Sequence, residues 1–112
     1  MQTSITSEEL ADMGDVTILD VRKKPAYDED TVVIAGAAWR DPATIDDWAP
    51  GLAGDLNVYK DGDRPVVCYC VRGHEVSQGA SEELRRLGID ARYLEGGIDG
   101  WKATGVRLAP KP

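Results

Sequence analysis

The sequence predicts an α/β domain built on a mostly parallel central sheet, and three observations carry that expectation. Val16 to Val21, Pro65 to Cys70 and Ala91 to Leu94 are compact apolar runs of strand length, too short for helices. The segments between them carry helical start and stop signals, and short apolar strands separated by helices are the signature of a sheet covered on both faces. With 112 residues, 42% of them hydrophobic, the chain is large enough for one core and leaves little room for a second, so a single domain over residues 1–112 is expected.

Taken in order, Thr6-Ser7-Glu8-Glu9 has the form of a capping box, opening a short helix with Leu10 and Met13 on its apolar side and Gly14 as its end. The strand Val16 to Val21 follows. Pro25 suits the first turn of a short helix through Asp30. Thr31 to Ile34 is β-rich, and Gly36 to Trp39 is a further short extended piece. Asp41-Pro42 starts a helix to about Trp48, closed by Pro50-Gly51, and Gly51 to Arg64 is the most loop-like stretch. The strand Pro65 to Cys70 runs into Val71-Arg72-Gly73-His74-Glu75. Val76, Ala80, Leu84 and Leu87 then recur at helical spacing, with Gly88 at the C-terminal end. Ala91 to Leu94 is a strand, Gly96-Gly97 a turn, and Ile98 to Ala103 a final helix.

Thirteen basic against twenty acidic residues give a formal charge of -7. A field of that sign repels polyanions, so neither nucleic acid nor an anionic membrane is an expected partner. The imbalance sits in the first half: residues 1–64 hold six basic and fourteen acidic groups, residues 65–112 seven and six. Anionic ligands are therefore expected in the second half. Ser4 to Met13 is polar where a signal peptide is apolar, and no apolar run has the length of a membrane span, so a cytoplasmic location is expected. Cys68 and Cys70, two apart on a strand, point the same way at the limit of disulfide reach and lack zinc-ligand spacing. Reduced thiols, no bound metal and no cofactor are expected.

Functional groups on parallel sheets gather at the carboxyl ends of strands, where loops lead into helix N-termini, and Cys70 is placed there. Backbone amides of the loop and first helical turn converge on such a sulfur, and the positive end of the helix dipole favours a thiolate. Arg72 and His74 offer charge to an anionic substrate, although each also suits a solvated surface residue. Cys68 is read as a small apolar filler.

Three segments, Ile18-Leu19-Asp20-Val21-Arg22, Cys70-Val71-Arg72-Gly73-His74 and Tyr93-Leu94-Glu95-Gly96-Gly97-Ile98-Asp99-Gly100-Trp101, resemble the signatures of the rhodanese homology domain in order and spacing. The resemblance runs from about Ser4 to Leu108. It implies a rhodanese-like three-layer domain with a central five-stranded parallel sheet flanked by helices. It also implies a sulfurtransferase in which Cys70 takes sulfur from an anionic donor such as thiosulfate, becomes a persulfide, and passes the sulfur to cyanide, a thiol or an acceptor protein. Val71, Arg72, Gly73, His74, Glu75 and Val76 then form the substrate loop. Asp20 and Arg22 are read as a charge pair at a strand end that fixes the loops around Cys70, and Glu95, Gly96 and Gly97 as the turn beside it. Trp101 is read as a core anchor, and core packing suits Trp39 and Trp48 better than a place on the approach to the site.

One departure stands out. Many single-domain members read C-x-x-G-x-R-S, and Glu75 occupies the position of that arginine, with Val76 after it. A carboxylate there opposes dianionic donors unless it turns outward or pairs with Arg72 or His74. Phosphatases and arsenate reductases of the same fold carry an arginine six residues after the cysteine, where this chain has Val76, so that chemistry is disfavoured. The alternative to an enzyme is a rhodanese-like binding or regulatory module in sulfur or oxyanion stress.

Overall fold

The computed structural model describes residues 3–14, 16–53, 65–104 and 107–111. In chain order its elements are β1 (Ser4–Ile5), α1 (Ser7–Asp12), β2 (Thr17–Asp20), α2 (Lys24–Glu29), β3 (Val32–Ile34), β4 (Ala38–Trp39) and a 3-10 turn (Pro42–Thr44) that runs into α3 (Ile45–Ala53). They continue with β5 (Val66–Tyr69), α4 (Glu75–Arg86), β6 (Ala91–Leu94), α5 (Gly97–Thr104) and β7 (Leu108–Pro110). Five strands form one parallel sheet in the order β1-β6-β5-β2-β4. The strand expected at Thr31 to Ile34 forms as β3 but does not join that sheet; it pairs antiparallel with β7.

The central strand decides the layering. Every residue of β5 is buried, and strand alternation sends Val66 and Cys68 to one face and Val67 and Tyr69 to the other. On the first face they meet Leu19, Ala80, Leu84 and Ala49, under α3 and α4. On the second they meet Ile5, Leu10, Leu94, Ile98 and Trp101, under α1 and α5. Burying a Leu or Ile side chain on either face contributes roughly 1.5–3 kcal/mol.

Local signals account for most helix ends. The capping box is formed: Thr6 Oγ1 accepts from the Glu9 amide and Glu9 Oε1 from the Thr6 amide, both at 3.1 Å. That helix ends at Asp12 with an extended Met13, before the expected Gly14. Gly88, with φ +88°, follows α4 and turns the chain out of the helix. A larger difference lies in α3, which continues through Pro50 to Ala53 instead of stopping at Pro50-Gly51. Ile45, Trp48, Ala49 and Leu52 keep one apolar face against the first core cluster, and proline's fixed φ is itself helical, so packing outweighs one lost hydrogen bond. Residues 54–64 of the expected loop lie outside the described residues.

At the carboxyl ends of β2 and β5 a buried charge network ties the loops together. Asp20 Oδ2 accepts from Arg22 Nη2 at 2.7 Å, and Arg22 Nη1 reaches Asp30 Oδ2 at 2.8 Å. Arg22 Nη2 also donates to the Val32 carbonyl, and the guanidinium lies 5.7 Å from the Tyr69 ring centroid. The Arg22 carbonyl accepts from Trp39 Nε1 at 2.9 Å. Burial works against the charged form of Arg22, and its hydrogen bonds to Asp20 and Asp30 outweigh it, so the guanidinium stays charged. Burial and the Asp20 carboxylate push the Tyr69 phenol upward.

Asp30 bridges the network to the surface, because Lys102 Nζ donates to its Oδ2 at 2.7 Å. Burial would raise its carboxyl, but Lys102, the Val32 amide and Arg22 together hold it at about 2, below its ordinary 3.8. A depressed carboxylate stabilises the fold above its unfolded value and loses that contribution as pH falls through its folded value. Asp30→Asn should therefore lower stability at pH 7 by about 1 kcal/mol. Thermal melts of both proteins from pH 7 to 2 should show the gap shrinking steadily below pH 3.8; a gap still at its full pH 7 size at pH 2 would show that the charge is not its source.

Candidate active site

Cys70 is the first residue beyond β5, at the carboxyl edge of the sheet. It is buried, with a few per cent of its surface at the base of a hollow of about 360 Å³ lined by Arg22, Lys23, Ala26, Val71, Arg72, His74, Glu75 and Val76. Its thiol donates to Ser77 Oγ at 3.1 Å, inside the first turn of α4. Ser77 is buried too, and a hydroxyl that accepts from the thiol can rotate to donate to a thiolate or persulfide. His74, the residue before α4, offers no side-chain cap, and among the described residues no side chain accepts from the first amides of that helix, which starts beside the hollow.

The loop from Val71 to His74 is seated on the turn that opens α5, backbone against backbone. The amides of Ile98 and Asp99 donate to the carbonyls of Cys70 and Val71, each at 3.0 Å. Because a trans peptide points its N–H opposite to its C=O, the Val71 and Arg72 amides are turned away from α5. The contact leaves no room for side chains. A Cβ on Gly97 (φ +59°) would collide with the Cys70 and Val71 carbonyls, and one on Gly73 (φ +75°) with the Leu94 carbonyl and the Gly96 amide. Gly96 sits at φ +79° in the same turn.

The charged residues divide. Arg72 is exposed and its Nε lies 3.6 Å from Asp99 Oδ2, so the guanidinium rests over the start of α5. Glu75, also exposed, lines the hollow and pairs with neither Arg72 nor His74 among the described residues. Asp20 and Arg22 form the buried network, and Arg22 also lines the hollow wall. Glu95 is directed elsewhere: its Oε2 accepts from Ser4 Oγ at 3.1 Å, tying the turn to β1. Trp39 stacks on Tyr27, Trp48 packs on the first core cluster, and Trp101 is core; none of the three lines the hollow. Cys68 faces the first core cluster, where burial and the neighbouring Cys70 push its thiol up to about 12 against the pull of Arg85.

Two polar groups at the site were not singled out by the sequence. Ser77, buried behind the hollow against Cys70, stands one position past the motif serine, which Val76 replaces here. Lys23 follows Arg22 as an ordinary exposed lysine, and only the fold brings it to the hollow.

A parallel α/β domain with a cysteine on a tight loop between its central strand and a helix defines a class of small cysteine-loop domains. Within it, residues 6–104 match the rhodanese-like domain, and the chain belongs to that family. It is 31% identical over 96 residues to thiosulfate sulfurtransferase GlpE of Coxiella burnetii (strain RSA 331 / Henzerling II), covering 85% of this chain and 79% of that protein. The crystal structure of a rhodanese-related protein from Thermoplasma volcanium superposes with a TM-score of 0.76 at 23% identity, covering 97% of this chain and 99% of that one. A rhodanese-like domain protein from Staphylococcus aureus superposes at 0.72 with 28% identity, covering 99% and 100%.

The seating of the loop predicts a contrast between two glycines. Gly97→Ala should cost at least about 2 kcal/mol in urea denaturation, combining a positive φ with backbone collisions. Gly88→Ala, where φ is also positive but the added carbon meets nothing within 4 Å, should cost only about 1 kcal/mol. Equal losses would mean that the contact with the cysteine loop contributes nothing.

Proposed function

We propose that the chain is a rhodanese-type sulfurtransferase that carries a sulfane sulfur on Cys70, working as the single domain of residues 1–112. The observation that carries this reading is Cys70 itself: a thiol at the base of a hollow, beside uncapped helix amides and a buried hydroxyl. Membership of the rhodanese-like family and the likeness to the Coxiella burnetii thiosulfate sulfurtransferase support it. The Cys70 thiolate attacks the outer sulfur of thiosulfate, the S–S bond breaks, and sulfite leaves with the bonding pair. The persulfide is then attacked at its outer sulfur by cyanide, a thiol or an acceptor protein, which returns the thiolate. The amides at the start of α4 and Ser77 stabilise the charge on sulfur in both steps.

Arg72, held over Asp99 by one long, exposed ion pair, is free to swing toward a sulfonate at little cost. Val76 lines the hollow where a phosphatase of this fold needs a guanidinium, which argues against phosphoryl transfer. Two unbridged cysteines suit a reducing compartment, and the reading places the reaction in the cytoplasm. No helix among the described residues is long and apolar enough to cross a membrane.

Incubation with thiosulfate or mercaptopyruvate should add the mass of one sulfur atom to the intact protein, and Cys70→Ser should abolish the addition. A wild type that gains no sulfur from either donor would sink the proposal. Glu75 is expected to oppose a dianion, so Glu75→Arg should lower the KM for thiosulfate about three- to tenfold and change the mercaptopyruvate reaction much less. An unchanged thiosulfate KM would show that Glu75 does not face the donor.

A further inference from the structure

A separate cavity of about 180 Å³ lies on the face of the sheet covered by α1 and α5. Leu10, Met13, Val16, Ile18 and Ile34 give it apolar walls. It has no lining residue in common with the hollow at Cys70 among the described residues, and Val16 and Ile18 bring it to the start of β2, away from the carboxyl edge where Cys70 stands. Its volume exceeds that of the ~150 Å³ apolar cavity that takes up benzene, so a small ring or a short branched chain fits.

Two polar side chains line it, and both lack a partner. The indoles differ in this respect: Trp39 Nε1 donates to the Arg22 carbonyl at 2.9 Å and Trp48 Nε1 to the Asp41 carbonyl at 2.8 Å. Trp101 is 1% exposed, lines the cavity, and its Nε1 is the one buried side-chain donor among the described residues that finds no acceptor. A buried donor left in that state is rare and costly. Arg107 is exposed beside the same cavity, and its side chain makes no ion pair or hydrogen bond among the described residues. Backbone holds it there: its carbonyl accepts from the Ala35 amide at 2.7 Å, next to the pairing of Ile34 with Leu108, at a φ of +52° that an arginine seldom adopts. No carboxylate, hydroxyl or amide side chain stands among the described lining residues. The side chains therefore offer apolar walls, an unmet N–H and a positive charge, with no anion to balance them.

We infer that this cavity binds a small organic monocarboxylate, with its hydrocarbon body against the apolar walls and its two oxygens accepting from the Arg107 guanidinium and the Trp101 N–H. A plain hydrocarbon would leave both donors unmet, and an ammonium would meet a like charge at Arg107. A second carboxylate would be pressed against apolar walls with nothing to pair it. One carboxylate on an apolar body satisfies every lining group at once, and the guanidinium is the side chain best shaped to take it. The site stands whether or not Cys70 carries sulfur.

The test uses cyclohexanecarboxylate and cyclohexanecarboxamide, which share one body, differ in charge, and carry no aromatic ring to disturb a spectrum. The full chain is titrated with each while the indole N–H resonances are followed by NMR, assigned with Trp39→Phe and Trp48→Phe. The carboxylate should move the Trp101 resonance downfield and saturably at millimolar concentration, leave the other two indoles in place, and bind about tenfold more tightly than the amide. Arg107→Gln should remove that preference and Arg107→Lys should keep most of it. Ala35→Leu, which enlarges a side chain on the cavity wall, should weaken both ligands about tenfold or more. Cys70→Ser should bind as the wild type does. The inference is wrong if the Trp101 resonance shows no saturable shift, if the two ligands bind equally, if Arg107→Gln leaves the preference intact, or if Cys70→Ser abolishes binding, which would put the ligand in the other hollow.

Discussion

The two hydrogen bonds from the Ile98 and Asp99 amides to the Cys70 and Val71 carbonyls are the constraint on which the site depends. They join the end of the central strand to the start of the last helix, so a loop that would otherwise wander after β5 is held at two consecutive peptides. Each bond has a second effect through peptide planarity. Once the carbonyls face α5, the following amides must face away from it, and the loop acquires a polarity with acceptors on the buried side and donors on the other. Gly73 and Gly97 are the condition for this, since a Cβ at either would meet backbone atoms that have nowhere to move.

Arg22 does the corresponding work on the opposite wall. It is anchored at the end of β2 by Asp20, and from there it reaches Asp30 after α2 and the carbonyl of Val32 at the start of β3. A buried guanidinium stripped of its carboxylate partners is strongly destabilising, so these segments are held together by the cost of unpairing it. Two parallel strands therefore end in two rigid supports, one built from backbone contacts and one from charge. The hollow between them takes its shape from both, and Lys23, one residue past Arg22, is carried to its rim by the same support.

Features written in local sequence were legible: the capping box at Thr6, the buried strands, and above all a cysteine between a strand and a Gly-containing loop that opens a helix. What was not legible depends on contacts far along the chain. Ser4-Ile5 is too short to show periodicity and becomes a strand only because β6 offers it an edge. Leu108 to Pro110 likewise becomes β7 only against β3. Pro50-Gly51 has the chemistry of a helix stop, and Leu52 overrides it by continuing an apolar face that local signals do not weigh. Within the site, the resemblance put the glycine turn beside Cys70 as a place of close approach, whereas the two amide-to-carbonyl bonds that seat the loop there were not legible, because Cys70 and Ile98 lie far apart in sequence. Ser77 and Lys23 look like ordinary polar residues until the fold sets Ser77 against the sulfur and Lys23 on the wall of the same hollow.

The two cysteines show how much one step along the chain decides. Cys68 and Cys70 have the same chemistry and, by strand alternation, the same side of the sheet. Cys68 lies within β5, opposite the interior of α4 and α3, where burial disfavours its thiolate so far that the group acts as a small apolar side chain. Cys70 lies one residue past the last ladder position, where the helix covering that face is only beginning. The side chain there meets the first turn of α4 rather than its middle, and with it Ser77 and the uncapped amides instead of Ala80 and Leu84. The register of β5 against α4 therefore separates a thiol enclosed in the core from one that reaches the hollow.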